Sequence, residues 1–400
     1  MRVTYIQKNK QRGIKYDWKK VMKLYKSLKC PDGFFDPTNC PIETAKYLLV
    51  YSARGGGKTI NVQLLGMCLN ALYGSTMVYI RDGYDQIAEK SVRDMFSVIL
   101  AYGYISKITG GRWNSCTLKA RRWYYCNVDE DGQIIEKASQ HFMFMCSIDE
   151  AFNLKSGFND PQADFIVYDE FIPTERRRII YDGFVKFADL LSTLIRQRWS
   201  PIIWLLANNT DKESPFFYEF EIADYVKEMK KGDKKEFKTE KGTPCYIEWF
   251  NPDITELQKK NRKTLNELFF GFKNPRLGSI TNEDWQVTPR QHIPKATRPE
   301  DVVPLLRNLY IYYNGKYVRL DIVKHADLGI CCYAHWATRT YADSVILTTE
   351  DRFDNRYLYG FGQGKVHKLL TKLFGENRVY YATNDIGTFI DNYMLEVKAR

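Results

Sequence analysis

The hydrophobic pattern changes period several times along this chain, and each change marks an element. Leu48-Leu-Val-Tyr51 is a short continuous apolar run of buried-strand character. After a glycine-rich break, Ile60, Leu64, Leu65, Cys68 and Leu72 recur at helical spacing, so 60–72 is predicted helical. Gly74-Ser75 then gives way to a second apolar strand, Thr76-Met-Val-Tyr-Ile-Arg81, and a helix is predicted over 85–100. This β-α-β-α opening is the pattern of a parallel sheet with covering helices. Upstream, Trp18, Val21, Met22, Tyr25 and Leu28 share one face of an amphipathic helix whose other face carries lysines. Between 113 and 148 the period falls to two around Asp129-Glu-Asp-Gly132, a hairpin signal that predicts strands inserted at the sheet edge. Ala163-Asp-Phe-Ile-Val-Tyr168 is the next strand. A helix predicted over about 183–199 is expected to bury Phe184, Phe187, Ala188, Leu191, Leu194 and Ile195, and Pro201-Ile-Ile-Trp-Leu-Leu-Ala207 is predicted as a further strand.

The second half reads differently. Residues 225–242 are dense in lysine, with interspersed acids and few apolar anchors, and are predicted to be a mobile loop or linker. A helix is predicted over 255–272, and Ile293 to Pro304 carries three prolines that mark a boundary. Beyond it Leu309-Tyr-Ile-Tyr-Tyr and Tyr317-Val-Arg-Leu flank Asn314-Gly315, a strong hairpin signal. Strands at 328–333 and 344–349, a helix near 366–374, a strand at 378–382 and a closing helix follow, in the order βββαβα. That arrangement resembles a ribonuclease-H-like fold. The organisation expected is an N-terminal α/β domain over 1–222, a basic linker or helical subdomain over 223–304, and a C-terminal α+β unit over 305–400.

Charge and cysteine usage narrow the class. Lysine and arginine outnumber the acids 59 to 48, a formal charge of +11 that suits a polyanionic partner as well as it suits a soluble basic enzyme. The nine cysteines include no C-x-x-C pair and there are five histidines, which argues against a zinc module or disulfide framework and for a reducing compartment. No apolar run approaches the length of about 20 residues that spans a bilayer, so no membrane partner and a cytoplasmic location are expected.

The glycine break carries the chemistry. Ser52-Ala-Arg-Gly-Gly-Gly-Lys-Thr59 follows the G-x-x-x-x-G-K-[ST] phosphate cradle, with Ser52 in place of the first glycine. Successive backbone N–H groups from Ser52, Ala53, Arg54, Gly55, Gly56 and Gly57 can surround an anion, Lys58 can reach the terminal phosphates, and Thr59 can hold Mg²⁺ at a helix N-terminus. Alone this could be a basic glycine-rich turn; strand before and helix after give it the required context. The second anchor is Asp169-Glu170, at the tip of the strand beside the cradle: Asp169 suits the Mg²⁺ shell and Glu170 suits polarising an attacking water. Asn208, and after it Asn209, stand where a γ-phosphate can be sensed, although an asparagine pair reads equally as a turn. Asn208-Asn-Thr-Asp211 is not a guanine-reading N-K-x-D motif, because Asn209 replaces the lysine and no glycine follows Asp169 to make a D-x-x-G switch. ATP is therefore the nucleotide expected.

Arg54-Gly-Gly-Gly-Lys-Thr59, Val78-Tyr-Ile-Arg81 running into a helix, and Tyr168-Asp-Glu170 together resemble the motor domain of large terminases. The chain's size resembles more narrowly the encapsidation ATPases of small podoviruses. The resemblance implies an α/β P-loop NTPase of the ASCE, RecA-like type with a C-terminal RNase H-like domain. It implies a homo-oligomeric ring, commonly of five subunits, docked on the portal of a procapsid in the infected cell's cytoplasm and absent from the mature virion. ATP and Mg²⁺ are the cofactors, double-stranded DNA the cargo, and an RNA scaffold a partner it leaves open. On this reading Lys58 binds phosphate, Thr59 and Asp169 hold Mg²⁺, Glu170 positions water, and Arg54 contacts phosphate. Arg196, then Arg198, with Arg176 to Arg178 behind them, are nominated as the arginine that completes a neighbour's site. The C-terminal unit departs from terminases. Its first strand has no acid, and Asp321, Asp327, Asp351, Asp385 and Asp391 fall mostly at strand ends or turns, so a nuclease-like domain without nuclease activity is expected. The competing readings are a terminase with a live nuclease and a helicase-like or non-motor nucleotide-binding DNA module.

Overall fold

Among the described residues nine strands form the first sheet: β1 (Tyr47–Ser52), β2 (Thr76–Arg81), β3 (Ser115–Lys119), β4 (Arg122–Val128), β5 (Ile134–Ser147), β6 (Ala163–Asp169), β7 (Ile202–Asn208), β8 (Lys234–Lys238) and β9 (Pro244–Trp249). The structure is a computed structural model, and it describes residues 16–53, 55–150, 163–172, 183–195, 201–208, 212, 214–252, 290–294, 302–350, 354–359 and 364–399. The strand order is β3-β4-β5-β2-β6-β7-β1-β9-β8, in which β5, β2, β6, β7, β1 and β9 pair in parallel. The central strands are apolar throughout because both their faces are covered, as parallel sheets require. α1 (Trp18–Ser27) and α2 (Lys58–Tyr73) belong to one hydrophobic cluster with these strands. Gly66 on α2 lies so close to the sheet that a Cβ there would come within 2.7 Å of Met77 and 2.9 Å of Phe165. α3 (Gly183–Ile195) buries Phe187, Leu190, Leu191 and Leu194.

Three expectations change. The strand carrying Asp169 is not beside β1: β7 lies between them, so the phosphate loop and the acids stand two strands apart. The predicted helix over 85–100 is instead a 3₁₀ turn (Tyr84–Ile87) followed by short helices Glu89–Val92 and Ser97–Ala101. Extended backbone at Ala88 breaks it, while Ile87, Val92, Phe96 and Ile99 all still reach the core. The lysine-rich stretch contains β8, an edge strand antiparallel to β9, rather than only loop. Its largely exposed side chains show no alternation, and lysine on an edge strand discourages pairing with another chain.

The second sheet has the order β14-β13-β10-β11-β12-β15, built from β10 (Val302–Tyr313), β11 (Lys316–His325), β12 (Gly329–Ala337), β13 (Val345–Thr348), β14 (Tyr357–Tyr359) and β15 (Val379–Tyr381). β10, β11 and β12 are antiparallel, and β13, β14 and β15 join in parallel. β10 begins inside the proline-rich boundary, with a register shift between Pro304 and Leu306. α4 (Lys365–Gly375) and α5 (Asn384–Ala399) supply Leu370, Leu373, Ile386, Phe389, Ile390 and Tyr393 to its core. The chain divides into two compact units, one for each sheet, and residues 214–226 group with the second. The predicted helix over 255–272 lies outside the described residues. Among the described residues no helix is long and apolar enough to cross a membrane.

Candidate active site

β1 ends at Ser52, and the chain turns through Gly55 (φ 80°) and Gly57 (φ 78°) into the first turn of α2. Both angles lie where a side chain is strained. At Gly57 a Cβ would also meet the Phe34 ring at 2.8 Å, so this bend admits only glycine. Lys58 opens the helix with its side chain buried, and its ammonium donates to Ser52 Oγ (2.6 Å), the Ala53 carbonyl (3.3 Å) and the Ser52 carbonyl (3.4 Å). The Ser52 hydroxyl donates its own proton to the Ala53 carbonyl at 2.8 Å, leaving its oxygen to accept from Lys58. The serine that replaces the motif's first glycine thus gives the lysine a partner within the loop. Burial pulls the Lys58 pKa down to about 8, against the opposing charges of Asp169 and Glu170.

The acids arrive from β6. Thr59 Oγ1 lies 3.1 Å from Asp169 Oδ1 and 3.2 Å from Oδ2, so the glycine-rich turn and the acidic tip meet in space although β7 separates their strands. β2 completes the cluster. Tyr79 and Arg81 are two residues apart and point to one face of the sheet, beside the β6 positions Val167 and Asp169. The Tyr79 hydroxyl donates to Asp169 Oδ2 at 2.6 Å. The Arg81 guanidinium donates to the same oxygen at 3.1 Å and to Glu170 Oε2 at 2.5 Å. Burial and the neighbouring Asp169 push the Tyr79 phenol well above its ordinary range, so it remains a proton donor. Burial alone would lower the Arg81 pKa, but Tyr79 and the two carboxylates outweigh it and raise the value. Glu170 itself adopts φ 61°, a left-handed conformation uncommon for a side chain of this kind and costing on the order of 1 kcal/mol. The bend ends β6 and accompanies the turn of the Glu170 carboxylate onto Arg81.

On the other face of the same strand ends, Tyr168 donates to Asp82 at 2.5 Å and stacks near Phe187 of α3. Asn208 ends β7 in register with Ser52, half-buried, on the strand between loop and acids. Arg54, Asn209, Arg196, Arg198 and the run from Arg176 to Arg178 lie outside the described residues.

Two hard oxygen donors, the Thr59 hydroxyl and the Asp169 carboxylate, converge at the N-terminus of α2. Mg²⁺ commonly takes one or two such protein ligands and completes its shell with water and phosphate, so the residues present fit it. No role for Tyr79 or Arg81 follows from the sequence alone. The available signal was an arginine closing an otherwise apolar strand, where a buried position demands a charged partner.

The C-terminal acids are arranged otherwise. Asp321 accepts from Arg319 Nε at 2.9 Å, Asp385 accepts from Trp336 Nε1 at 2.8 Å, and Asp391 pairs with Arg290. Asp327 is exposed in the turn after β11, and Asp351 lies outside the described residues. Among the described residues no three His, Cys, Asp or Glu side chains gather as a metal site.

No family model matches the chain, and no curated protein matches it. Among solved structures it is similar to the Phi-28 gp11 DNA packaging motor, with 19% identity, 92% of this chain and 99% of that chain covered, and a TM-score of 0.54. It is likewise similar to the bacteriophage Phi-29 viral genome packaging motor assembly, with 18% identity, 91% and 99% covered, and a TM-score of 0.55. The likeness is one of fold, and it runs over both units.

Proposed function

We propose that this chain is an ATP-driven motor subunit that moves double-stranded DNA into a procapsid as part of a homo-oligomeric ring. The observation that carries the reading is the approach of Thr59 to Asp169 at 3.1 Å, which makes one site of a phosphate cradle and an acidic strand tip. The fold shared with the two packaging-motor structures supports it, as does the net charge of +11.

Each residue has a task. Backbone N–H groups of 52–57 surround the phosphates, and Lys58 turns from Ser52 towards the terminal phosphate oxygens. Thr59 and Asp169 would hold Mg²⁺, which when bound neutralises charge building on the transferred phosphoryl group. Glu170 accepts the proton of the attacking water, which requires its carboxylate to leave Arg81. Asn208 reads the γ-phosphate, a role that its register with Ser52 at the end of β7 supports. An arginine from the adjoining subunit, Arg196 or then Arg198, completes the site, so that hydrolysis follows subunit arrangement. We take the ring to be a pentamer seated on the portal in the infected cell's cytoplasm, with an RNA scaffold as a further partner to be tested. The C-terminal unit, whose strand order supports the RNase H-like reading, is assigned a docking role without nuclease activity. Individually partnered carboxylates at Asp321, Asp385 and Asp391 support that assignment.

The test is ATP turnover with and without duplex DNA. Turnover stimulated by DNA and lost in Lys58→Ala is the expected result. Turnover that Lys58→Ala leaves unchanged removes the motor reading, and strand separation by the wild-type protein replaces it with a helicase.

A further inference from the structure

The two oxygens of Asp169 have different surroundings. Oδ2 accepts from the Tyr79 hydroxyl at 2.6 Å and from Arg81 Nη1 at 3.1 Å, both contributed by β2. The Thr59 hydroxyl lies almost equally near both oxygens, 3.1 Å from Oδ1 and 3.2 Å from Oδ2, and among the described residues it is the one hydrogen-bond donor to Oδ1. A carboxylate held through one oxygen presents the other in a fixed direction. Resting on the ATPase reading above, we propose that Tyr79 is a positioning residue for the magnesium shell: its hydroxyl pins Asp169 through Oδ2, so that Oδ1 stays clear of the β2 donors beside Thr59.

Tyr79 suits this task better than Arg81 does. Arg81 divides its guanidinium between Asp169 and Glu170, so its removal disturbs both acids. The Tyr79 hydroxyl, by contrast, donates to Asp169 alone, and its oxygen lies 3.4 Å from Arg81 Nη1, which places it as a link between the arginine and the carboxylate. The ring is buried, with only 3% of the residue exposed, in the core cluster that includes Val167, so Tyr79→Phe keeps the packing and removes only the donor. Outer partners of metal ligands fix ligand orientation, and their loss typically weakens metal binding about 10–100-fold.

The experiment measures ATP binding by calorimetry across a Mg²⁺ titration, in wild type, Tyr79→Phe, Asp169→Asn and the double variant. Wild type should bind ATP more tightly as Mg²⁺ rises. In Tyr79→Phe the Mg²⁺ concentration for half-maximal enhancement should rise about tenfold, with ATP affinity in EDTA and the apo melting temperature close to wild type. Adding Tyr79→Phe to Asp169→Asn should change nothing further, because the pinned carboxylate is already gone. A folded Tyr79→Phe protein with a wild-type Mg²⁺ requirement overturns the inference, as does an effect that persists in full on the Asp169→Asn background. Absence of Mg²⁺-dependent ATP binding in wild type overturns the ATPase reading and this inference together. Equal weakening in EDTA and in Mg²⁺ assigns Tyr79 to the fold alone and also overturns it.

Discussion

Both units of this protein set aspartates beside arginines, at the strand ends of the first sheet and within β11 and α5 of the second unit, yet they use them in opposite ways. In the first sheet two strands and a helix deliver side chains to one point: Thr59 from α2, Tyr79 and Arg81 from β2, and Asp169 and Glu170 from the end of β6, with Lys58 buried close by. One guanidinium serves two carboxylates, and one carboxylate serves three donors. In the second sheet Asp321 is paired with Arg319 two residues away on the same strand, and Asp385 and Asp391 of α5 are tied to Trp336 and Arg290 separately. Possession of acids therefore does not distinguish a chemical site from a structural one. Convergence does, because a shared and partly desolvated set of charges is what shifts pKa values and leaves a ligand direction open.

The comparison can be broken at several places. The largest effect is expected from Glu170→Gln, which should lower ATP turnover about 10²–10⁴-fold with nucleotide binding retained. The matching changes Asp321→Asn and Asp385→Asn should leave turnover within a factor of two of wild type, read in the same steady-state assay. Lys58→Ala should cost about 10²–10³-fold in turnover and weaken nucleotide binding as well, which separates it from Glu170→Gln. Arg81→Ala leaves two adjacent carboxylates without their cation, and chemical denaturation should show a loss of about 3 kcal/mol in the nucleotide-free protein. Gly66→Ala sharpens the structural side: the new methyl must displace the Phe165 ring and the Met77 tip, and a loss of about 1–3 kcal/mol is expected in the same denaturation experiment. Smallest is the surface Asp354–Arg356 pair, whose removal should leave the denaturation midpoint indistinguishable from wild type.

Much of the first site was legible in the residues because its parts are local. Gly55, Gly57, Lys58 and Thr59 are consecutive or nearly so, and their bend is dictated by backbone angles only glycine adopts freely. Asp169 and Glu170 stood out as acids ending an apolar strand. The parts that stayed hidden depend on neighbours far apart in sequence. Alternation along 76–81 places Tyr79 and Arg81 on one face, but nothing local says that β6 lies beside that face, nor that β7 separates β6 from β1. β8 escaped notice because an exposed edge strand carries no apolar alternation, its residues Lys234, Lys235, Glu236 and Lys238 all facing water. The helix expected over 85–100 failed for a related reason: Ile87, Val92, Phe96 and Ile99 reach the core through broken turns, and spacing alone cannot distinguish those from one continuous helix. In the second sheet the Asn314-Gly315 turn fixed the β10–β11 hairpin, whereas the short β14 had too few residues to show a period.

Under the proposed function the glycine-rich turn and the acidic tip act on one bound metal–nucleotide. The most direct test is a double-mutant cycle on ATP affinity in saturating Mg²⁺, using Thr59→Ala, Asp169→Asn and their combination. Two ligands of one shell should couple, so the combined loss is predicted to fall short of the sum of the single losses by more than about 0.5 kcal/mol. Losses that add within that margin would show the two residues to be independent and contradict the shared site.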